Sequence, residues 1–233
     1  MQRTTSRRFS WISRGATWLL LVIAMGALGL EAAEDADALP AAAEPVILLT
    51  AFGPFAGRGV NGSESVAKHL DGELISGYRV HALVMPVVWG QPGHDLPPAL
   101  QRLHPRLVIG LGEGYPGKVT VESIGRNRAG GELDAGNQHA PSPLLEPQGP
   151  PQRTATLLFD SSWFPMPRIP VARSSDAGDY LCNACLYTAL GATTARCGFV
   201  HLPPQGDTPD ADYAQPLLGI LRTLIEKNLH SLP

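Results

Sequence analysis

The sequence predicts a single α/β domain, a three-layer α/β/α sandwich around a largely parallel central sheet. Three observations carry that expectation. Short apolar runs bounded by turn residues recur along the chain, as buried strands do. Segments with helical start signals separate these runs, and strands alternating with helices imply right-handed crossovers with helices on both sheet faces. The length, 233 residues, permits one ordinary domain or at most two small ones.

The N-terminus is expected to lie outside the fold. Arg3, Arg7, Arg8 and Arg14 form a basic region, residues 16–30 are almost uninterruptedly apolar, and Ala36-Asp37-Ala38 offers a small-x-small cleavage site. This is the three-part pattern of an export signal, so residues 1–38 are read as one and the mature protein as periplasmic or secreted. The apolar run is short for a spanning helix, which needs about 20 residues. An uncleaved anchor in the inner membrane is therefore the second reading, and the only membrane contact expected. The stretch 31–45 is rich in Ala, Glu, Asp and Pro; its part beyond the signal, residues 39–45, reads as a flexible tether, and residues 46–233 as the folded domain.

Within that domain, residues 46–51 form an apolar run between turn residues and are expected to be the first buried strand. A Phe-Gly-Pro-Phe loop follows, then a helix over 63–70 that Ser63 and Glu64 would start. A second strand is expected over 78–84. The helix over 93–103 contains Pro97 and Pro98, which should confine its regular part to the C-terminal half. Strands are expected over 107–111 and 119–124. Residues 126–168 lack periodicity and are rich in Pro, Gly and Gln; so long a loop in a compact domain is usually functional or disordered. The apolar run 169–172, a helix over 180–190, a strand over 198–201 and a closing helix over 210–229 complete the chain.

The net charge is −3. Removing residues 1–38 takes away four basic and four acidic side chains, so it stays there, and no basic patch suggests a nucleic-acid partner. Three cysteines, Cys182, Cys185 and Cys197, are too few and too clustered for a disulfide scaffold. No His or carboxylate pairs with them at zinc-finger spacing, and neither a metal nor another cofactor is expected.

The chemistry concentrates at Ser174-Ser175-Asp176-Ala177-Gly178-Asp179-Tyr180-Leu181-Cys182-Asn183. Asp176 and Asp179 are good N-caps and Gly178 permits a sharp turn, so Cys182 should fall in the first turn of a helix, where free backbone N–H groups and the dipole favour negative charge. Two further residues stand at strand ends, where sites lie in such sheets. His201 closes an apolar strand, and Glu122 lies toward the end of another, where a carboxylate is unfavourable unless paired. A thiolate, an imidazole and a carboxylate that orients it are what cysteine nucleophilic catalysis requires.

Four separated segments carry a family resemblance: Leu49-Thr50-Ala51-Phe52-Gly53-Pro54-Phe55 with Asn61; Thr120-Val121-Glu122 with Asn127; Asp176 through Asn183 with Tyr187; and Gly198-Phe199-Val200-His201-Leu202-Pro203-Pro204. In these the chain resembles the pyroglutamyl-peptidase I family of cysteine peptidases. The resemblance implies Cys182 as nucleophile, His201 as general acid and base, and Glu122 as the third member. It also implies Phe52 and Phe55 as walls of a pocket for the pyroglutamyl ring with Asn61 nearby, and small peptides with an N-terminal pyroglutamate as substrates. An aromatic pocket with a few fixed hydrogen-bond partners suits an uncharged lactam.

The sequence departs from the family pattern in the run Gly112-Glu113-Gly114-Tyr115-Pro116-Gly117, in residues 130–168, in the export signal, and in a Cys-x-x-Cys formed by Cys182 and Cys185. That last feature supports two side expectations: capture of Cys182 by Cys185 in an oxidising compartment, and a rival function as an exported thiol–disulfide exchanger. A lapsed enzyme that only binds pyroglutamyl ends is a third reading.

Overall fold

The computed structural model describes residues 44–165, 167–206 and 212–232. The expected export signal and most of the expected tether lie outside the described residues. In chain order the elements are β1 (Val46–Phe52), α1 (Gly62–Leu70), β2 (Leu74–Ile75), β3 (Tyr78–Met85), α2 (Gln91–Leu103), β4 (Leu107–Glu113), β5 (Val119–Glu122), β6 (Ile124–Arg126), β7 (Gln152–Thr154), β8 (Val171–Ser174), α3 (Leu181–Ala192), β9 (Arg196–Leu202) and α4 (Ala214–His230). Seven strands form one sheet in the spatial order β2-β3-β1-β4-β9-β5-β8.

β1 is apolar without alternation because both its faces are covered. Ile47, Leu49 and Ala51 face α1 and α4, while Leu48 and Phe52 face α2 and α3. This gives the three layers that the sequence predicts. β3, β1, β4 and β9 run parallel. β5 is antiparallel to β9 and parallel to β8, and β2 is an antiparallel edge strand against β3. The reversal at β9–β5 is the feature of the fold that matters most for the site.

Several local expectations are corrected. α1 begins one residue earlier than expected, because Asn61 rather than Ser63 is its N-cap and accepts the Ser63 N–H at 3.0 Å. α2 runs unbroken through Pro97 and Pro98; Leu96, Ala99 and Leu100, packed on the sheet, hold it in place of the missing backbone bonds. At the tether, Glu44 pairs with Arg79 and the Pro45 carbonyl accepts the Arg79 N–H at 2.8 Å.

The stretch 126–168 is not a plain loop. β6 and β7 form a two-stranded antiparallel sheet. Buried Asn127 binds Glu146 and Gly149 through its side chain, and Leu157 enters the core against Gly198. Asp134 accepts backbone N–H groups from Trp89, Gly136 and Gln138, bonds that hold its carboxyl below the usual carboxylate range.

Candidate active site

The face of β4 toward α3 carries glycine at alternate positions, Gly110 and Gly112, and Gly114 continues the spacing. A Cβ on Gly110 would lie 2.3 Å from the Phe199 ring. One on Gly112 would lie 2.6 Å from Cys182 Sγ, and one on Gly114 would lie 2.7 Å from His201 Cβ. Real Cβ atoms do not make such contacts. The bare strand is therefore the floor on which the sulfur and the imidazole rest. In the β4–β9 register Gly112 is opposite His201, and adjacent strands are about 4.8 Å apart. A sulfur seated over Gly112 is thus a neighbour of the His201 ring.

The carboxylate reaches His201 through the reversed strand. Thr120 stands opposite His201 and Glu122 opposite Phe199 in the antiparallel β5–β9 ladder, which makes Glu122 and His201 a diagonal pair on one face. His201 Nδ1 lies 3.0 Å from Glu122 Oε1, and the Thr120 hydroxyl donates to that same oxygen at 2.6 Å. Glu122 is 1 % exposed. Burial alone would raise its carboxyl, but the hydrogen bonds from His201 and Thr120, with the nearby Ser174 hydroxyl, lower it. Its other oxygen, Oε2, has no hydrogen-bond partner among the described residues. For His201, burial works against the charged ring. The charge of Cys182 and its hydrogen bond to the ring, followed by the same two effects from Glu122, outweigh it and raise the imidazole to about 10. Phe199 closes the other side, edge-on to the ring at 5.1 Å. Glu122 ends β5, two residues before the expected end of that strand, and because β5 runs against β9 it sits below His201 rather than beside it at the open edge.

Cys182 occupies the first turn of α3, as expected. The helix makes its first backbone bond from Ala184 N–H to the Tyr180 carbonyl, so the earlier amides are not used within the helix. The cap differs from expectation: Tyr180 is the N-cap, without a side-chain bond. Asp176 instead pairs with Arg126 and Arg128, and the Asp179 carbonyl accepts the Gly130 N–H. Gly178, at φ +78°, makes the expected turn. The helix start is tied down by Asn183, which accepts the Arg126 N–H at 2.8 Å and donates to the Arg126 and Arg128 carbonyls at 2.9 Å each.

The residues expected to form the ring pocket lie at and beyond the end of β1. Phe52 is 3 % exposed and packs in the core beneath the site. Phe55 is half-buried, with the Arg58 guanidinium 4.9 Å from its ring centroid. Asn61 is buried; besides capping α1 it donates from Nδ2 to the Gly53 carbonyl at 3.0 Å and so shapes the loop. A recess of about 780 Å³ lined by Leu100, His104, Arg106, Thr193 and Arg196 opens at the opposite, N-terminal edge of β4 and β9 and includes none of the Cys182, His201 and Glu122 group.

Comparisons with known proteins identify the family. The model of the pyroglutamyl peptidase family matches residues 46–224. The chain belongs to the pyroglutamyl peptidase family. A pyrrolidone-carboxylate peptidase of Chromobacterium violaceum is 35% identical over 163 residues, covering 67% of this chain and 77% of that one. One from Halalkalibacterium halodurans is 30% identical over 194 residues, covering 75% and 92%. Among solved structures, a mutant pyrrolidone carboxyl peptidase of Pyrococcus furiosus superposes with a TM-score of 0.71 at 27% identity, covering 81% of this chain and all of that one.

In this pyroglutamyl peptidase family member Cys185 does not form a working pair with Cys182. It is 1 % exposed, its sulfur lies 3.4 Å from the Thr50 hydroxyl, and burial pushes its thiol up to about 12. Capture of Cys182 and thiol exchange both need a second thiol that can ionise and be reached, and this one points into the core. The sequence reading named Cys182, His201 and Glu122 but missed Thr120 as the second anchor of the carboxylate, and missed the glycine floor. The signal for the floor was present: glycine with period two inside an apolar strand marks close approach by another group.

Proposed function

We propose that this chain is a cysteine exopeptidase, an omega-peptidase, that hydrolyses the amide bond following an N-terminal pyroglutamyl residue. The observation that carries the mechanism is the His201 ring, bonded through Nδ1 to buried Glu122, with Cys182 Sγ beside it over Gly112. Because Nδ1 is taken by the carboxylate, Nε2 is the nitrogen left for the sulfur. His201 accepts the thiol proton, and Sγ attacks the pyroglutamyl carbonyl carbon. The resulting oxyanion is met by the free amides at the start of α3. His201 then returns the proton to the departing amine as the C–N bond breaks, leaving a thioester on Cys182. A water, deprotonated by His201, attacks that thioester and releases pyroglutamate and the thiol.

Phe55 supplies the accessible aromatic wall of the acyl pocket, with Phe52 and Asn61 beneath and behind it. An ordinary N-terminus would have to bury an ammonium charge there. The pattern of residues 1–38 supports an exported enzyme, periplasmic or secreted, touching the membrane only if that segment is retained.

Turnover of matched pyroglutamyl, prolyl and glutamyl amides tests the assignment. The pyroglutamyl amide should be cleaved at least about 100-fold faster than the prolyl one, because a site built to bind the lactam carbonyl leaves its partner unpaired without it. Comparable rates on the two would refute the pocket.

A further inference from the structure

Glu113 lies between two floor glycines at the exit of β4, where neither acyl transfer nor strand packing calls for a charge. Its side chain is only 6 % exposed, and a carboxylate so enclosed must be paired. Oε1 accepts the backbone N–H of Gly62 at 2.7 Å and of Gln205 at 3.0 Å. Oε2 is paired with Arg58 Nη2. Arg58 in turn donates from Nη1 to the Gln205 carbonyl at 3.1 Å, and its guanidinium covers the Phe55 ring. Ser65, in the first turn of α1, adds a hydrogen bond to the Gln205 side-chain oxygen at 2.9 Å.

One carboxylate thus joins three segments: the loop that carries Phe55, the start of α1, and the stretch that follows His201. The loop has a conformation in need of such support, since Ala56 and Gly57 both have positive φ, 54° and 75°. The pairing uses charge at both ends, and hydrogen bonds between charged groups are about twice as strong as neutral ones. Among the described residues, none of the hydrogen bonds or ion pairs of this network involves the side chains of Cys182, His201 or Glu122.

We propose that Glu113, acting through Arg58, is a positioning residue for recognition of the pyroglutamyl ring, holding the Phe55 wall at its working height. This deepens the reading of Phe55 as a wall of the acyl pocket and rests on it. The expected consequence is a defect in binding with the chemistry intact.

The test uses the full chain and a fluorogenic pyroglutamyl amide, with kcat, KM, the inhibition constant of free pyroglutamate, and the rate of Cys182 alkylation by iodoacetamide. Glu113→Gln keeps the shape but removes the charge that holds Arg58. It should raise both KM and the pyroglutamate inhibition constant about tenfold, leave kcat within about twofold, and leave alkylation unchanged. Arg58→Met, which leaves the two backbone bonds of Glu113 in place, should shift the same two constants in the same direction and carries the test alone if Glu113→Gln does not fold. An unchanged KM in folded variants, or a fall in kcat at constant KM, would overturn the proposal. Failure of the Phe55 reading would appear separately, as an unchanged KM in Phe55→Ala, so the two failures are distinguishable.

Discussion

The two sides of Cys182 are built by different means. On the β9–β5 side, His201, Thr120 and Glu122 are placed by strand register, and their spacing follows from backbone pairing. On the β1 side, Phe55 sits on a loop that an ion pair, side-chain contacts and a backbone bond from Gly53 N–H to the Met85 carbonyl hold in place, outside the sheet ladder. The difference matches the demands on each side. Proton transfer loses effectiveness when donor and acceptor shift by an ångström, so the acid–base pair belongs in the sheet. On the proposed reading, ring recognition is spread over a surface, and a loop held by Glu113 and Arg58 suffices.

The comparison makes the sheet side the more fragile to a small change. Gly112→Ala should have the largest effect, because its Cβ would lie 2.6 Å from Cys182 Sγ and 2.9 Å from the Phe199 ring. We expect kcat to fall at least about 100-fold while the inhibition constant of pyroglutamate stays within about threefold. Loss of pyroglutamate binding in parallel with kcat would erase the distinction between the two sides. The loop-side variants at Glu113 and Arg58 should do the opposite and less.

A subtler measurement sharpens the same contrast through pH. Glu122 has a lowered folded value, so its contribution to stability is complete above its ordinary 4.5 and is lost as pH falls through the folded value. His201 is raised from 6.5 to about 10, so its contribution is complete below 6.5 and is lost as pH rises through about 10. The difference in unfolding midpoint between wild type and Glu122→Gln should therefore be widest between pH 4.5 and 6.5. It should narrow toward both extremes. A difference that does not change with pH would show that the pair is not coupled to folding.

Much of this was legible in the sequence. Buried strands announce themselves as apolar runs, and Cys182 after Gly178 and His201 before two prolines are local patterns. What was missed depends on contacts between distant segments. A short strand such as β5 carries no mark of its direction, so the antiparallel pairing that brings Glu122 under His201 could not be read from residues 119–122. The caps misled for the same reason: Asp176 had the right chemistry for a helix start, but Arg126 and Arg128, some fifty residues earlier, offered it a charged partner. The prolines of α2 were outweighed by packing that only the sheet supplies. Glu113 was visible as a departure, yet its partners are Arg58, Gly62 and Gln205, and nothing in the local sequence names them.

The central claim is that Cys182 carries the acyl group during turnover, and rapid acid quenching followed by peptide mass spectrometry tests it most directly. During steady-state cleavage of a pyroglutamyl amide, the peptide containing Cys182 should carry one pyroglutamyl group as a thioester, removable by hydroxylamine, and Cys182→Ala should show neither the adduct nor turnover. Turnover that persists in Cys182→Ala, or an adduct on any other residue, would contradict the account.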